Sequence, residues 1–171
     1  MVPCVSHASH PEPVTVRRGV RLAVDVGSVR VGVARSDPDG VLASPLEVIR
    51  HGRGDLDRLA ALTAEHEALE VIVGLPTTLA GRQGQAAVAA RDVAASLAER
   101  IAPVPVRLFD ERFTTTTAHA VLRQGGKDSK ARRQVVDAAA AAVLLQAALD
   151  GERASGNPPG ELVPNGGRKI T

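Results

Sequence analysis

"LAVDVGSVRVGVA", residues 22–34, predicts two short strands joined by the tight turn "GSVR". Before the turn, large apolar residues alternate with smaller or charged ones, which places Asp25 on the second face of its strand. After the turn, Val31 and Val33 share one face in the same way. Burial of a carboxylate such as that of Asp25 costs several kcal/mol unless a positive or hydrogen-bonding group compensates it.

The remaining sequence extends this pair of strands into a larger sheet. The turn signal "DPDG" precedes a third strand at 41–49, which completes an antiparallel meander. Helical and apolar segments then alternate at 54–69, 70–76, 84–100 and 104–111, and two further helices follow at 114–122 and 131–150. This order predicts an α/β fold with a five-stranded mixed sheet, a three-stranded antiparallel meander followed by parallel strands, flanked by helices.

The chain is predicted to form one domain between two tails. Residues 1–18 carry three prolines and no periodicity, which predicts a disordered leader. Residues 151–171 are rich in Gly, Pro and Asn, which predicts a flexible C-terminal tail. The folded domain is therefore expected to occupy residues 19–150.

Composition narrows the class of protein. The chain of 171 residues has two Phe and no Tyr or Trp, which argues against modules that stack nucleic-acid bases on aromatic platforms. Its formal net charge of +2 means that attraction to phosphate depends on local clusters of basic residues. The single cysteine, Cys4, allows no internal disulfide and is typical of a reducing compartment. With no signal-peptide pattern and no membrane-length apolar run, we expect a cytoplasmic protein.

Acidic residues occur where apolar ones are expected. Asp25 lies near the end of its strand, Asp110 and Glu111 end the strand at 104–111, and Asp137 lies on an apolar helix. Each acid alone is explained equally well by a turn, a cap or an ion pair. Ligands of open α/β sheets bind outside the carboxyl ends of strands, so the acids are expected to converge there. A divalent cation, Mg²⁺ or Mn²⁺, would relieve their mutual repulsion.

Such a site is typical of phosphodiester hydrolysis. Gly27 would let a phosphate approach the backbone, and Ser28, Thr114 and Thr115 would offer it hydrogen-bond donors, although capping is an equally ordinary role for the threonines. Residues 123–133 hold five basic residues and one acid, which indicates either a solvated charge run or a nucleic-acid-binding segment. The residues predicted to bind nucleic acid are Arg30, Arg112, Lys127, Lys130, Arg132 and Arg133.

Four motifs, in chain order, resemble those of the YqgF/RuvX family over about residues 20–150. They are "LAVDVGSVRVGVARSD", "VIVGLP" followed by "GRQGQAA", "LFDERFTTTTA" and "VVDAAAAAVLLQAAL". The resemblance implies an RNase H-like fold, a likeness to Holliday junction resolvases, and processing of the 5′ end of precursor 16S ribosomal RNA. It also implies catalytic, metal-binding roles for Asp25, Glu111 and Asp137, with Asp110 as a further candidate ligand. Of that neighbouring pair, we expect Glu111 to face inward.

The leading hypothesis is a Mg²⁺- or Mn²⁺-dependent endonuclease that acts on structured nucleic acid, with water as the nucleophile. Precursor rRNA is the favoured substrate and junction DNA is the alternative. The protein is expected to act as a monomer or a homodimer, and the two arms of a junction would suit a dimer. A second hypothesis is a sugar kinase or actin-like ATPase, since "DVGSVRVGVA" also resembles their phosphate loop, but these proteins need two lobes. A third is a ribosome-assembly factor that binds without cleaving.

Overall fold

The computed structural model describes residues 16–77, 84–114 and 130–166, and for residues 130–134 it describes the backbone alone. The strands are β1 (Arg21–Val26), β2 (Arg30–Ser36), β3 (Ala43–Arg50), β4 (Glu70–Leu75), β5 (Val106–Asp110) and β6 (Glu161–Leu162). The helices are α1 (Asp55–Glu65), α2 (Gln85–Ile101) and α3 (Lys130–Ser155), and a short 3₁₀ helix covers Glu111–Phe113.

The six strands form one mixed sheet in the order β3-β2-β1-β4-β5-β6. β1, β2 and β3 pair antiparallel, whereas β4 lies parallel to both β1 and β5. The predicted meander followed by parallel strands, and with it the RNase H-like class of fold, is confirmed. Because β3, β1, β4 and β5 run in the same direction, their carboxyl ends meet at one edge of the sheet, called here the site edge.

The C-terminal part of the prediction was wrong in two respects. The sheet has a sixth strand, because β6 pairs antiparallel with β5 and the following Val163 is buried in the core. Helix α3 continues beyond residue 150 to Ser155, so residues immediately after 150 are not a flexible tail. A strand of two residues has no periodicity to detect, and this one is held by its neighbour β5.

Two other predictions concern segments that lie mostly outside the described residues. The helix predicted at 114–122 lies outside the described residues except for Thr114, which ends the 3₁₀ helix. Most of the predicted leader, residues 1–15, lies outside them as well. Its later part does not behave as a leader, since Arg17 contacts buried carboxylates of the fold.

The sheet separates two apolar layers. On one face, Val24 and Val73 belong to a cluster that includes the buried leucines of α1 and α2. On the other face, Ala23 and Ala34 pack with Leu144 of α3. The β1 and β2 residues on this face are small, so the helix lies close to these two strands, whereas β4 and β5 contribute the larger Ile72 and Phe109.

The closest approach of α3 to the sheet is at Gly32 of β2. A Cβ atom at this position would overlap the backbone carbonyl oxygen of Asp137. Only a residue without a side chain therefore allows the two backbones to meet here. This contact sets the height of α3 above the sheet at the site edge.

The far end of α3 is held by buried charges. Glu152 is 2% exposed and accepts hydrogen bonds from Arg17 at 2.8 Å and from Arg21 at 3.0 Å. Glu70 of β4 is fully buried and accepts from Arg17 at 2.7 Å and from Arg107 of β5 at 3.0 Å. Burial opposes ionisation of Glu152, but the hydrogen bond from Arg17 and the charges of Arg21 and Arg17 outweigh it and lower the pKa of this carboxyl.

We expect Gly32→Ala to destabilise the protein by about 1–3 kcal/mol or more, because the added methyl group meets backbone that cannot rotate away. Gly151→Ala is the matched control, since nothing lies within 4 Å of a Cβ there and the residue is inside α3. It should stabilise by about 0.5–1 kcal/mol. Urea unfolding measures both, and a Gly32→Ala variant as stable as wild type would contradict the close approach.

Glu152→Gln should cost about 3 kcal/mol at pH 7, because Arg17 and the buried Arg21 lose one of the two acids that compensate them and keep only Glu70. The pKa of Glu152 is lower in the folded state, so its stabilising contribution is complete above 4.5 and is lost as pH falls through the folded value. The deficit of the variant should therefore shrink below pH 4.5. Asp150→Asn, an exposed acid on the same helix, is the control and should stay within about 0.5 kcal/mol of wild type. Equal unfolding curves for the two variants would refute the role of the buried network.

Candidate active site

Asp25 lies between two glycines on neighbouring strands. It is paired in register with Gly32 of β2, and on its other side Gly74 follows Val73, the partner of Val24. Neighbouring strands are about 4.8 Å apart, so both glycines lie beside the Asp25 side chain. Because Asp25 shares its face with Ala23, the two missing side chains leave space on the α3 side of the sheet.

Asp137 occupies the space above Gly32. Its backbone lies against that glycine, and its carboxylate accepts a hydrogen bond from Arg30 Nε at 2.5 Å. Asp25 and Asp137 line the same cleft, together with residues of the β1–β2 turn and of the first turn of α2. The two carboxylates are thus brought to one opening at the site edge, although they are 112 positions apart in the chain.

Glu111 occupies the space above Gly74. A Cβ atom on Gly74 would lie 3.0 Å from Glu111 Oε1 and 3.0 Å from Leu144 of α3, so the carboxylate lies on the α3 face of the sheet. Thr114 fixes the turn that carries Glu111, since its backbone N–H and its hydroxyl both donate to the Glu111 carbonyl oxygen. Asp25, Asp137 and Glu111 therefore lie on the same face and at the same edge.

Asp110 points to the opposite face. It follows the alternation of Leu108, which packs on the α1 and α2 side, and it accepts hydrogen bonds from Arg112 and from Thr77. The hydrogen bonds from Arg112 lower the pKa of the Asp110 carboxyl from 3.8 to about 2, against the opposing effect of burial and with the help of Thr77. The structure does not bring Asp110 to the three other acids.

The chemistry of the donor set fits a hard divalent cation. Asp25, Glu111 and Asp137 offer carboxylate oxygens, the ligand type that Mg²⁺ and Mn²⁺ prefer. Within the described ranges, no group of three or more His, Cys, Asp or Glu is close enough to hold a metal ion. In this arrangement the three carboxylates are therefore too far apart to share one cation. The guanidinium of Arg30 contacts the carboxylate of Asp137 instead.

The other predicted site residues fall into three groups. Gly27 and Ser28, whose contact with a phosphate stays a prediction, line the cleft with Asp25. The guanidinium of Arg112 is bound to Asp110, and the Thr114 hydroxyl is used in a cap. Thr115 and Lys127 lie outside the described residues, whereas Lys130, Arg132 and Arg133 lie in the first turns of α3 with only their backbone described.

Sequence reasoning missed the residues that make room for the acids. Gly32 and Gly74 carry no functional group, yet their missing side chains admit Asp137 and Glu111. Ala86 of α2 also lines the cleft and was not predicted. A glycine within an otherwise β-branched strand is a signal for close approach, and "VGVA" and "VIVGL" both contain one.

The chain is similar to known proteins over most of its length. The model of the family described as "RuvX: Holliday junction resolvase" matches residues 19–151. Two relatives are each named "Putative pre-16S rRNA nuclease": one from Thermobifida fusca is 61% identical and one from Nocardioides is 54% identical. Each match covers 86% of this chain and 98% of the relative.

Among solved structures, the chain is similar to RuvC of Thermus thermophilus in complex with a Holliday junction substrate, at 16% identity and a TM-score of 0.49. This match covers 82% of this chain and 99% of that one. In the described part of the chain, no helix is both long and apolar enough to cross a membrane.

These relatives and the family model place the chain in a family of nucleases, and its three acids lie on one face and at one edge of the sheet. The chain belongs to the RuvX family.

We expect Gly74→Ala to reduce nuclease activity more than stability. The added methyl group meets the ends of the Glu111 and Leu144 side chains, which can shift, so the cost in stability should be about 1 kcal/mol. Displacement of the Glu111 carboxylate should lower the cleavage rate by about 10–100-fold. Urea unfolding and a cleavage assay on the same preparation separate the two effects, with Gly151→Ala as control. Full activity in a folded Gly74→Ala protein would show that Glu111 is not required at this position.

Proposed function

We propose that this protein is a divalent-metal-dependent endonuclease that hydrolyses phosphodiester bonds in structured RNA, at the 5′ end of precursor 16S ribosomal RNA. The observation that carries the proposal is the placement of Asp25 between Gly32 and Gly74, with Asp137 above one glycine and Glu111 above the other. The relatives named for pre-16S rRNA support the choice of substrate. They are bacterial, and the cytoplasm, where bacterial ribosomes mature, is the proposed location.

The residues that would hold the cation are Asp25, Glu111 and Asp137. A bound Mg²⁺ or Mn²⁺ would activate water and stabilise the leaving oxygen of the phosphodiester. The chain supplies the positions of the carboxylates, two through close backbone packing and one through the capped turn at Thr114. Arg30 holds the Asp137 carboxylate at the mouth of the cleft, so that this ligand is oriented before a cation binds.

The β1–β2 turn is placed to receive the phosphate. Gly27 and Ser28 are exposed and line the cleft beside Asp25. The Gly27 N–H donates to the Arg30 carbonyl oxygen at 2.9 Å, which keeps the turn tight. A phosphate can therefore approach the backbone at Gly27 without meeting a side chain.

Junction DNA is the second candidate substrate, and the description of the matching family favours it. RNA and DNA share the phosphodiester that the carboxylate site handles, so the choice depends on contacts outside the cleft. A cleavage assay with Mg²⁺ or Mn²⁺ separates them when it compares precursor rRNA, a four-way junction and a linear duplex. We expect the precursor rRNA to be cut fastest.

Asp25→Asn should abolish cleavage, because the central carboxylate of the site is lost, while binding of the RNA changes little. Asp110→Asn is the matched control, because Asp110 ends the neighbouring strand β5 but points to the opposite face. It should cut within a few-fold of the wild-type rate. Gel-based cleavage and fluorescence anisotropy measure the two quantities. Wild-type cleavage by Asp25→Asn would exclude this site, and an inactive but RNA-binding wild-type protein would favour the assembly factor.

A further inference from the structure

A basic loop lies at the site edge, and it is a different part of the sequence from the basic stretch at 123–133. It is the β3–α1 loop, defined here as residues 50–54, with the sequence "RHGRG". β3 runs in the same direction as β1, so Arg50 at its carboxyl end lies at the same edge as Asp25. The loop also touches the β1–β2 turn, because the His51 N–H donates to the Val29 carbonyl oxygen at 2.9 Å.

The arginines of this loop differ from nearly all others in their surroundings. Among the arginines whose side chains are described, Arg35, Arg50 and Arg53 make no ion pair or hydrogen bond through the guanidinium. Both loop arginines are exposed. Most other described arginines contact an acid, whereas this loop leaves two positive charges facing solvent.

Strand register adds an unfavourable pair. Arg50 lies directly opposite Arg30 across β2 and β3, and like charges in that position destabilise a sheet. Asp137 compensates Arg30, but no described acid contacts the Arg50 guanidinium. A bound anion would remove the repulsion.

The loop is held in shape before any ligand binds. The Asp55 carboxylate, 7% exposed, accepts from the Gly52 N–H at 2.9 Å and lies 2.7 Å from His51 Nδ1. Gly52 and Gly54 have φ values of +122° and +90°, a backbone conformation that favours glycine. The loop therefore displays Arg50 and Arg53 on an ordered backbone.

From these contacts we infer that Arg50 and Arg53 form a second phosphate-binding surface for the nucleic-acid backbone. β3 lies two strands from β1, which is about 10 Å. Because Arg50 lies on the site edge at this distance from the cleft, it would meet a phosphate within a few nucleotides of the bond that is cut. The inference deepens the proposed function and rests on it, since the distance is counted from the carboxylate cleft.

The test measures binding of a stem-loop RNA with a 16S precursor flank to the full chain in an Asp25→Asn background, which prevents cleavage. In that background, Arg50→Gln together with Arg53→Gln should lower the slope of log Kd against log salt by about two and raise Kd at least tenfold at 0.1 M salt. Arg35→Gln is the matched control, because Arg35 is exposed and unpaired in the described fold but lies at the other end of β2. It should leave the slope unchanged. Lysine at positions 50 and 53, which keeps the charge, should restore it.

A methylphosphonate scan locates the contact. Neutralising single phosphates one to five nucleotides from the cut should weaken binding to the Asp25→Asn parent most at the phosphate that Arg50 contacts. The same substitution should have no further effect when Arg50→Gln is also present. An unchanged salt slope in the double glutamine variant, with normal binding by the parent, overturns this inference and leaves the proposed function standing. Failure of the parent to bind RNA, junction or duplex overturns both.

Discussion

The contact on which the structure depends is the one between the backbones of α3 and β2 at Gly32. No side chain separates the helix from the strand there, so Asp137 lies beside Asp25 at the edge where the parallel strands end. The alanine-rich sequence of α3 from 138 to 142 suits this approach, because short side chains bring a helix close to a sheet. Gly74 repeats the arrangement on the other side of Asp25 and admits the carboxylate of Glu111. The absence of side chains at Gly32 and Gly74 thus leaves space for three acids at one edge of the sheet.

The acids at the two ends of α3 differ in how deeply they are buried. At Glu152 the carboxylate is buried and surrounded by guanidinium groups from the segment before β1 and from β1 itself. Such a network is costly to desolvate and contributes little net stability, but breaking one member is strongly unfavourable. The ion pairs join the end of α3 to β1 and, through Arg17, to β4. At the other end Asp137 is one-third exposed, which leaves its carboxylate accessible to a ligand.

A nuclease site must gather negative ligands and still attract a negative substrate. In this fold the two requirements are met at different places along one edge. The acids lie on the α3 face near β1 and β5, where Arg30 balances part of their charge. The uncompensated arginines of the β3–α1 loop lie about 10 Å away, beyond the strand β2. In our proposal, phosphates would be held there by charge without entering the cluster of carboxylates.

Much of the fold follows from local patterns, because alternation and apolar runs depend on residues close in the chain. Residues 22–34 predict β1 and β2, "EVIVGL" predicts β4, and the acids at strand ends predict where a site lies. Two things depended on neighbours that the sequence does not reveal. β6 exists because β5 pairs with it, and Gly32 and Gly74 matter only because Asp137 and Glu111 lie above them. Periodicity reports which face of an element is buried, whereas contacts between distant elements are decided when the layers pack.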